Sequence, residues 1–169
     1  MSTQVPHLTP DERRQTEELL HQAPFAFVAV VDKSGPYVVP MNFAYDPGDP
    51  SAPGTAADRL LLHTGAGRKT AALAEDPRVC VALTADAAYK QGPAPCDDGF
   101  AFRAVLVEGR AILLEDAAER EAALRAIVAK YDPGAAGAPF DEAVLAETLV
   151  YAVVIESMSY KQRPRHPAE

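Results

Sequence analysis

The sequence predicts a mainly β fold: a closed antiparallel barrel of six strands with added helices. Three observations carry this reading. Six β-rich runs recur along the chain, at 25–31, 37–45, 59–64, 78–84, 100–114 and 151–158. Helical signals are interspersed but never alternate strictly with these runs, so a parallel βαβ sheet is not expected. No internal repeat or shift in composition divides the chain. Residues 1–169 therefore read as one domain, with a helix over about 9–22, a barrel over about 25–160 and a short flexible tail at 161–169.

Each element has a local cause. Thr9-Pro10-Asp11-Glu12 opens the first helix with a cap, Pro at the first helical position and acids at the positive dipole end. Glu12, three after Thr9, completes a capping box, and Pro24 stops the helix. FAFVAVV (25–31) and YVVPMNFAY (37–45) flank the turn Asp32-Lys33-Ser34-Gly35 and read as a hairpin. Pro40 has no N–H for a ladder, so its strand lies at an edge or a bulge. DPGDPSAPGTAAD (46–58) reads as an exposed excursion before the strand RLLLHT (59–64). A short helix over 70–74 precedes RVCVALT (78–84), and the Pro- and Gly-containing stretch 85–99 reads as irregular. The run 100–114 is long enough for a bent strand with Gly109 at the bend. Asp116 caps a helix that sets Leu124, Ile127, Val128 and Tyr131 on one face, and a short helix near 140–149 precedes the last strand.

Composition narrows the function classes. Sixteen Lys+Arg against 24 Asp+Glu give a net charge of −8, which argues against general nucleic-acid binding. No apolar run approaches the ~20 residues that would span a bilayer, and the N-terminus has no signal pattern. A cytoplasmic protein without membrane or nucleic-acid partners is expected. Cys80 and Cys96 make neither a disulfide framework nor a zinc motif, and no metal is expected. Cys80, between Val79 and Val81, reads as a small core residue, and Cys96 as packing at a loop base.

One stretch carries chemistry: LLHTGAGRK, residues 61–69. A strand runs into Gly65-Ala66-Gly67, and Arg68 and Lys69 follow where a helix begins. Glycines let backbone N–H groups approach an anion, and a helix N-terminus adds its positive end. Arg68 offers a fork to a phosphate and Lys69 a point charge. The spacing is not that of a P-loop. A solvated turn with two surface cations is the alternative. His63, at the strand's end, reads either as a packing residue or as a proton-handling group.

Taken in order, the segments resemble the pyridoxamine 5′-phosphate oxidase-like flavoproteins of the FMN-binding split barrel, in the branch of the nitroimidazole-resistance proteins. The carrying residues are GPYVVPMNFAYD (35–46), Leu62-His63-Thr64-Gly65, Gly67-Arg68-Lys69, Asp76-Pro77-Arg78-Val79-Cys80 and FRAVLVEGRA (102–111), over about residues 10–161. The resemblance implies a six-stranded antiparallel split β-barrel with FMN at a homodimer interface. It implies that Val39, Pro40, Met41 and Asn42 lie along the flavin ring through backbone groups. His63 and Thr64 would approach the ring and ribityl chain, and Gly67, Arg68 and Lys69 would hold the phosphate. Arg103 is a further expected contact, and His63 the expected catalytic residue.

The implied activity is an FMN-dependent oxidoreductase acting on a small organic molecule, nitroaromatic reduction among the options. A flavin-binding or redox-sensing module without turnover is one alternative. Another is a barrel that uses F420, with Lys90, Arg103 and Arg163 as added cationic grip, or haem, for which His7, His21, His63 and His166 are the histidines. Ala104 stands where relatives often carry Ser or Gln. Arg163, Arg165 and His166 do not reproduce the Arg/His-rich ending of true pyridoxamine phosphate oxidases, so vitamin B6 oxidation is not expected.

Overall fold

The computed structural model describes residues 8–48 and 57–163. Helix α1 (Pro10–Gln22) starts at the capping box: the Thr9 hydroxyl accepts from the Glu12 N–H at 3.3 Å, and the Glu12 carboxylate accepts from the Thr9 N–H at 2.8 Å. Strands β1 (Ala26–Asp32) and β2 (Gly35–Met41) form the first hairpin, and β3 (Phe43–Asp46) follows. Then come β4 (Arg59–Thr64), α2 (Arg68–Glu75), β5 (Arg78–Lys90) and β6 (Gly99–Leu113). Helices α3 (Ala117–Tyr131) and α4 (Glu142–Glu147) lead to β7 (Leu149–Arg163).

All strand pairs are antiparallel, in the order β2-β1-β5-β6-β7-β4-β3. There are seven strands, not six, and the cause is specific. The run read as one strand over 37–45 divides at Asn42: Gly35–Met41 pairs with β1, whereas Phe43–Asp46 pairs with β4. β2 and β3 therefore stand at opposite ends of the strand order although one residue separates them in sequence. That single residue joins the sheet's two edges and closes the barrel, and β2 keeps a free edge, as its two prolines require.

Other boundaries move for physical reasons. The stretch 85–99 is not wholly irregular: β5 runs to Lys90, carried past a register shift between Ala85 and Ala88 where Asp86 takes a positive φ of 57°. The run 161–163 belongs to β7 and not to the expected tail, whose remaining positions, 164–169, lie outside the described residues. The bend at Gly109 is a register shift against β7, where Gly109 opposes Ile155 and Glu108 opposes Ser157. Cys80 is exposed, not core. Val79 and Val81 point inward on alternating pleats, and Cys80 must face outward. Cys96 is exposed in a short 3-10 turn, Pro95–Asp97.

Inside the barrel, Phe43, Leu60, Leu62, Val81, Val105 and Val153 are almost fully buried, and Leu19 and Leu20 of α1 join the same core. A second cluster lies outside it, where α3 covers Ala44, Leu61, Val150 and Ala152 with Leu124 and Ile127. β4 is thus buried on both faces, which explains its unbroken LLL. Tyr131 does more than pack: its hydroxyl accepts from the Phe43 N–H at 3.1 Å and donates to the Phe43 carbonyl at 3.3 Å. Lys130 donates to the Leu20 carbonyl at 3.0 Å, and its Nζ lies 3.2 Å from the Phe43 ring centroid. Both residues hold the chain just past Asn42, where the strand changes partners. Among the described residues no helix is long and apolar enough to cross a membrane.

Candidate functional site

The site begins where β4 ends. Its register with β7 sets His63 opposite Val150 and Thr64 opposite Leu149. The Thr64 hydroxyl donates to the Gly65 carbonyl at 3.0 Å. Gly65-Ala66-Gly67 then carries the chain into α2. Thr70 closes that helix start from within: its hydroxyl accepts from the Gly67 N–H at 2.9 Å and donates to the Gly67 carbonyl at 2.8 Å. At Gly65 and Gly67 a Cβ would meet nothing within 4 Å, so open space lies above both backbones. Such a loop, leading into free helical N–H groups, accepts an anion.

The two cations differ. Lys69 makes no ion pair among the described residues. Arg68 is engaged: its Nε donates to Asp32 Oδ2 at 2.6 Å and its Nη2 to Oδ1 at 3.1 Å, while its Cζ lies 4.3 Å from the Tyr37 ring centroid. The Arg68 hydrogen bonds, with the Ser34 N–H, hold the Asp32 carboxyl below the usual carboxylate range. Arg68 thus spans from α2 to the β1–β2 turn. Asp32 and Tyr37 are the site residues that sequence reasoning missed. Asp32 was legible only as a turn former, and nothing local marks which cation it meets.

His63 keeps an accessible edge, yet the protein around it and the nearby Lys69 charge push its pKa below the ordinary histidine value. Both effects favour its neutral form. The β3–β4 pairing ends at Phe43 and Leu62, and Asn42 and His63 are the next residues of their segments at that end. β2 supplies the remaining wall. Val39 and Met41 turn toward the core, whereas Pro40 and Asn42 are exposed, so a ligand along the free edge of β2 would meet backbone more than side chains. From Tyr37 to Asn42 that edge runs ~17 Å, at ~3.3 Å per residue.

Arg103 is not part of this group within one chain. It pairs with Ala85 across β5 and is held by Asp86 at 2.5 Å and Glu18 at 3.5 Å. Phe27 opposes Ala82, so Asp32 and Ala85 differ by eight steps along the strands, ~26 Å. Of the histidines, His21 packs edge-on against Tyr45 at 5.4 Å, and His7 and His166 lie outside the described residues. The same holds for Arg165, while Lys90 and Arg163 end β5 and β7.

The family model described as pyridoxamine 5′-phosphate oxidase matches residues 12–162. The chain belongs to the pyridoxamine 5′-phosphate oxidase family. The matched span runs from the first turn of α1 to the end of β7, one residue short of its last. No curated protein sequence matches the chain. Solved structures share the family fold. The proposed 5-nitroimidazole antibiotic resistance protein of Bacteroides thetaiotaomicron is 23% identical with a TM-score of 0.73, over 94% of this chain and 88% of that one. The flavocytochrome Anf3 of Azotobacter vinelandii is 23% identical with a TM-score of 0.78, over 96% and 71%. An FAD- and haem-binding protein of Mycobacterium smegmatis is 26% identical with a TM-score of 0.76, over 93% and 74%.

Proposed function

We propose that this family member holds FMN between two copies of the chain and uses it as an oxidoreductase on a small organic molecule. The observation that carries the reading is the loop 65–69: an open glycine cradle at the start of α2, Lys69 with no ion pair among the described residues, and the Arg68 guanidinium, beside the edge of β2. Neighbours of the same fold described as binding FAD and haem, or as an F420 reductase, support a redox cofactor at this barrel. Bound FMN would supply hydride or single-electron transfer at its ring. Gly65, Gly67, Arg68 and Lys69 would hold its phosphate. Backbone groups of Val39, Pro40, Met41 and Asn42 would line the ring, with Thr64 near the ribityl chain. His63, biased toward its neutral form, would exchange a hydrogen bond or a proton with substrate. Reduction of a nitroaromatic substituent is the activity to assay first.

A second copy is supported by the outer face of β2-β1-β5-β6, where Phe27, Val38 and Leu106 are each more than 40% exposed. Arg103, remote from the loop in its own chain, would serve the other copy's site.

The test is the ultraviolet–visible spectrum of purified protein, followed by FMN titration of the apo form and of an Arg68→Ala/Lys69→Ala variant. A flavin spectrum is expected, with binding weakened by ~1.5–3 kcal/mol for each charge-assisted contact removed. A Soret band, a deazaflavin spectrum or FMN binding indifferent to the two cations would overturn the assignment. Tight FMN without turnover by nicotinamide donors would leave a flavin-binding module.

A further inference from the structure

Asp32 ends β1 and accepts the Ser34 N–H at 2.7 Å, which fixes its carboxylate at the hairpin turn. From there its two oxygens take the side of the Arg68 guanidinium, through Nε at 2.6 Å and Nη2 at 3.1 Å, with the Tyr37 ring against the flat face. A guanidinium carries five N–H groups. This grip uses one on Nε and one on Nη2. It leaves both on Nη1 and the second on Nη2, and one from each of these nitrogens makes the end-on fork that suits two oxygens of a phosphate. Lys33 meets Glu75 at 3.0 Å, tying the same turn to the far end of α2. The turn and the helix are thereby joined at both ends.

We propose that Asp32 is a positioning residue for a phosphate-bearing ligand, holding Arg68 side-on over Tyr37 so that its end-on fork is set before the ligand arrives. This rests on the proposed function and deepens it. Preference for phosphorylated over unphosphorylated flavin is assigned to a carboxylate that does not touch the ligand. Arginine loses considerable rotamer freedom when it grips an anion, and a side chain already held loses less. The Asp32 charge also repels phosphate, but at an exposed site solvent and salt screen that longer-range term. The direct fork is screened less.

The experiment measures FMN and riboflavin affinities by flavin fluorescence quenching. The proteins are full-length wild type, Asp32→Asn, Arg68→Ala, the double variant and Glu75→Gln, each checked for folding by urea denaturation. Asparagine keeps the acceptor for the Ser34 N–H and removes the charge. Asp32→Asn should weaken FMN about tenfold, the order of re-immobilising one long side chain, and leave riboflavin unchanged. In the Arg68→Ala background it should add nothing further. Glu75→Gln, which cuts the other tie, should change neither ligand. The inference is overturned if Asp32→Asn binds FMN as tightly as wild type or tighter, or loses FMN and riboflavin equally. Wild type that ignores FMN, or does not prefer it to riboflavin, would instead bring down the phosphate anchor itself and the inference with it.

Discussion

The outer surface of the barrel has two halves of similar chemistry and opposite fate. Outside β3, β4 and β7, the apolar residues Ala44, Leu61, Val150 and Ala152 are buried under α3. Outside β2, β1, β5 and β6, Val31, Val38, Phe27 and Leu106 stand 57, 55, 42 and 47% exposed. Both halves are apolar on the outward pleat, so sequence pattern alone does not separate them. The difference lies in what the chain sends back to cover them. The first half is complete within one chain. The second presents a contiguous apolar face of the kind that marks an interaction site.

The largest expected effect breaks the covered half. Ile127 is 3% exposed and sits between α3 and the sheet. Ile127→Ala should cost about 2–5 kcal/mol of unfolding free energy, read as a shifted urea midpoint at unchanged slope. A cost below 1 kcal/mol would mean α3 is not tightly docked. Next is the residue where β6 passes from one half to the other. A Cβ on Gly109 would stand 2.3 Å from the Val154 carbonyl oxygen, a backbone atom with nowhere to retreat. Gly109→Ala should destabilise by about 1–3 kcal/mol, as overpacking does. A neutral outcome would show that the shifted pairing of β6 with β7 gives way without loss.

These particulars show what the sequence makes legible. The capping box of α1, the strand RLLLHT of β4 and the bend at Gly109 are local signatures, and each stands where its residues put it. The glycine–cation loop was legible because its chemistry sits in consecutive residues. The division at Asn42 was not, since YVVPMNFAY carries no mark of which strand each half will meet. Cys80 misled because alternation gives the period of burial but not its phase. Arg68 was read as a free anchor, and its partners Asp32 and Tyr37 come from a hairpin over thirty positions away in the chain.

A smaller effect sharpens the covered half through pH. Lys130 is half-buried, and burial pushes its pKa down to about 8 from the unfolded value near 10.5, while the Phe43 ring face offsets part of that cost. A lowered folded pKa means the unfolded chain binds more protons between these values. Stability should therefore rise as pH climbs from about 8 toward 10.5, apart from other titrations. Lys130→Met should flatten that rise in urea midpoints measured across this range. A variant that keeps the wild-type pH profile would mean the ammonium is not desolvated where α3 meets the end of α1.

The smallest effect on the single chain is the most informative about the uncovered half. Phe27 pairs with Pro40 on one side and Ala82 on the other, at the middle of the exposed face. Because it is 42% exposed, Phe27→Ser should change the stability of an isolated chain by only about 0.5 kcal/mol. If a second copy covers this face, the same substitution removes an aromatic ring from the middle of an interface, where a few such residues dominate association. Sedimentation equilibrium should then show wild type as a dimer and the variant shifted toward monomer. Its urea midpoint should depend on protein concentration less steeply than the wild type's, because near and below the new dissociation constant the partner contributes less to stability. A wild type that sediments as a monomer at every concentration would leave the second face to solvent or to another partner. It would also remove the route proposed for Arg103 to the loop at 65–69.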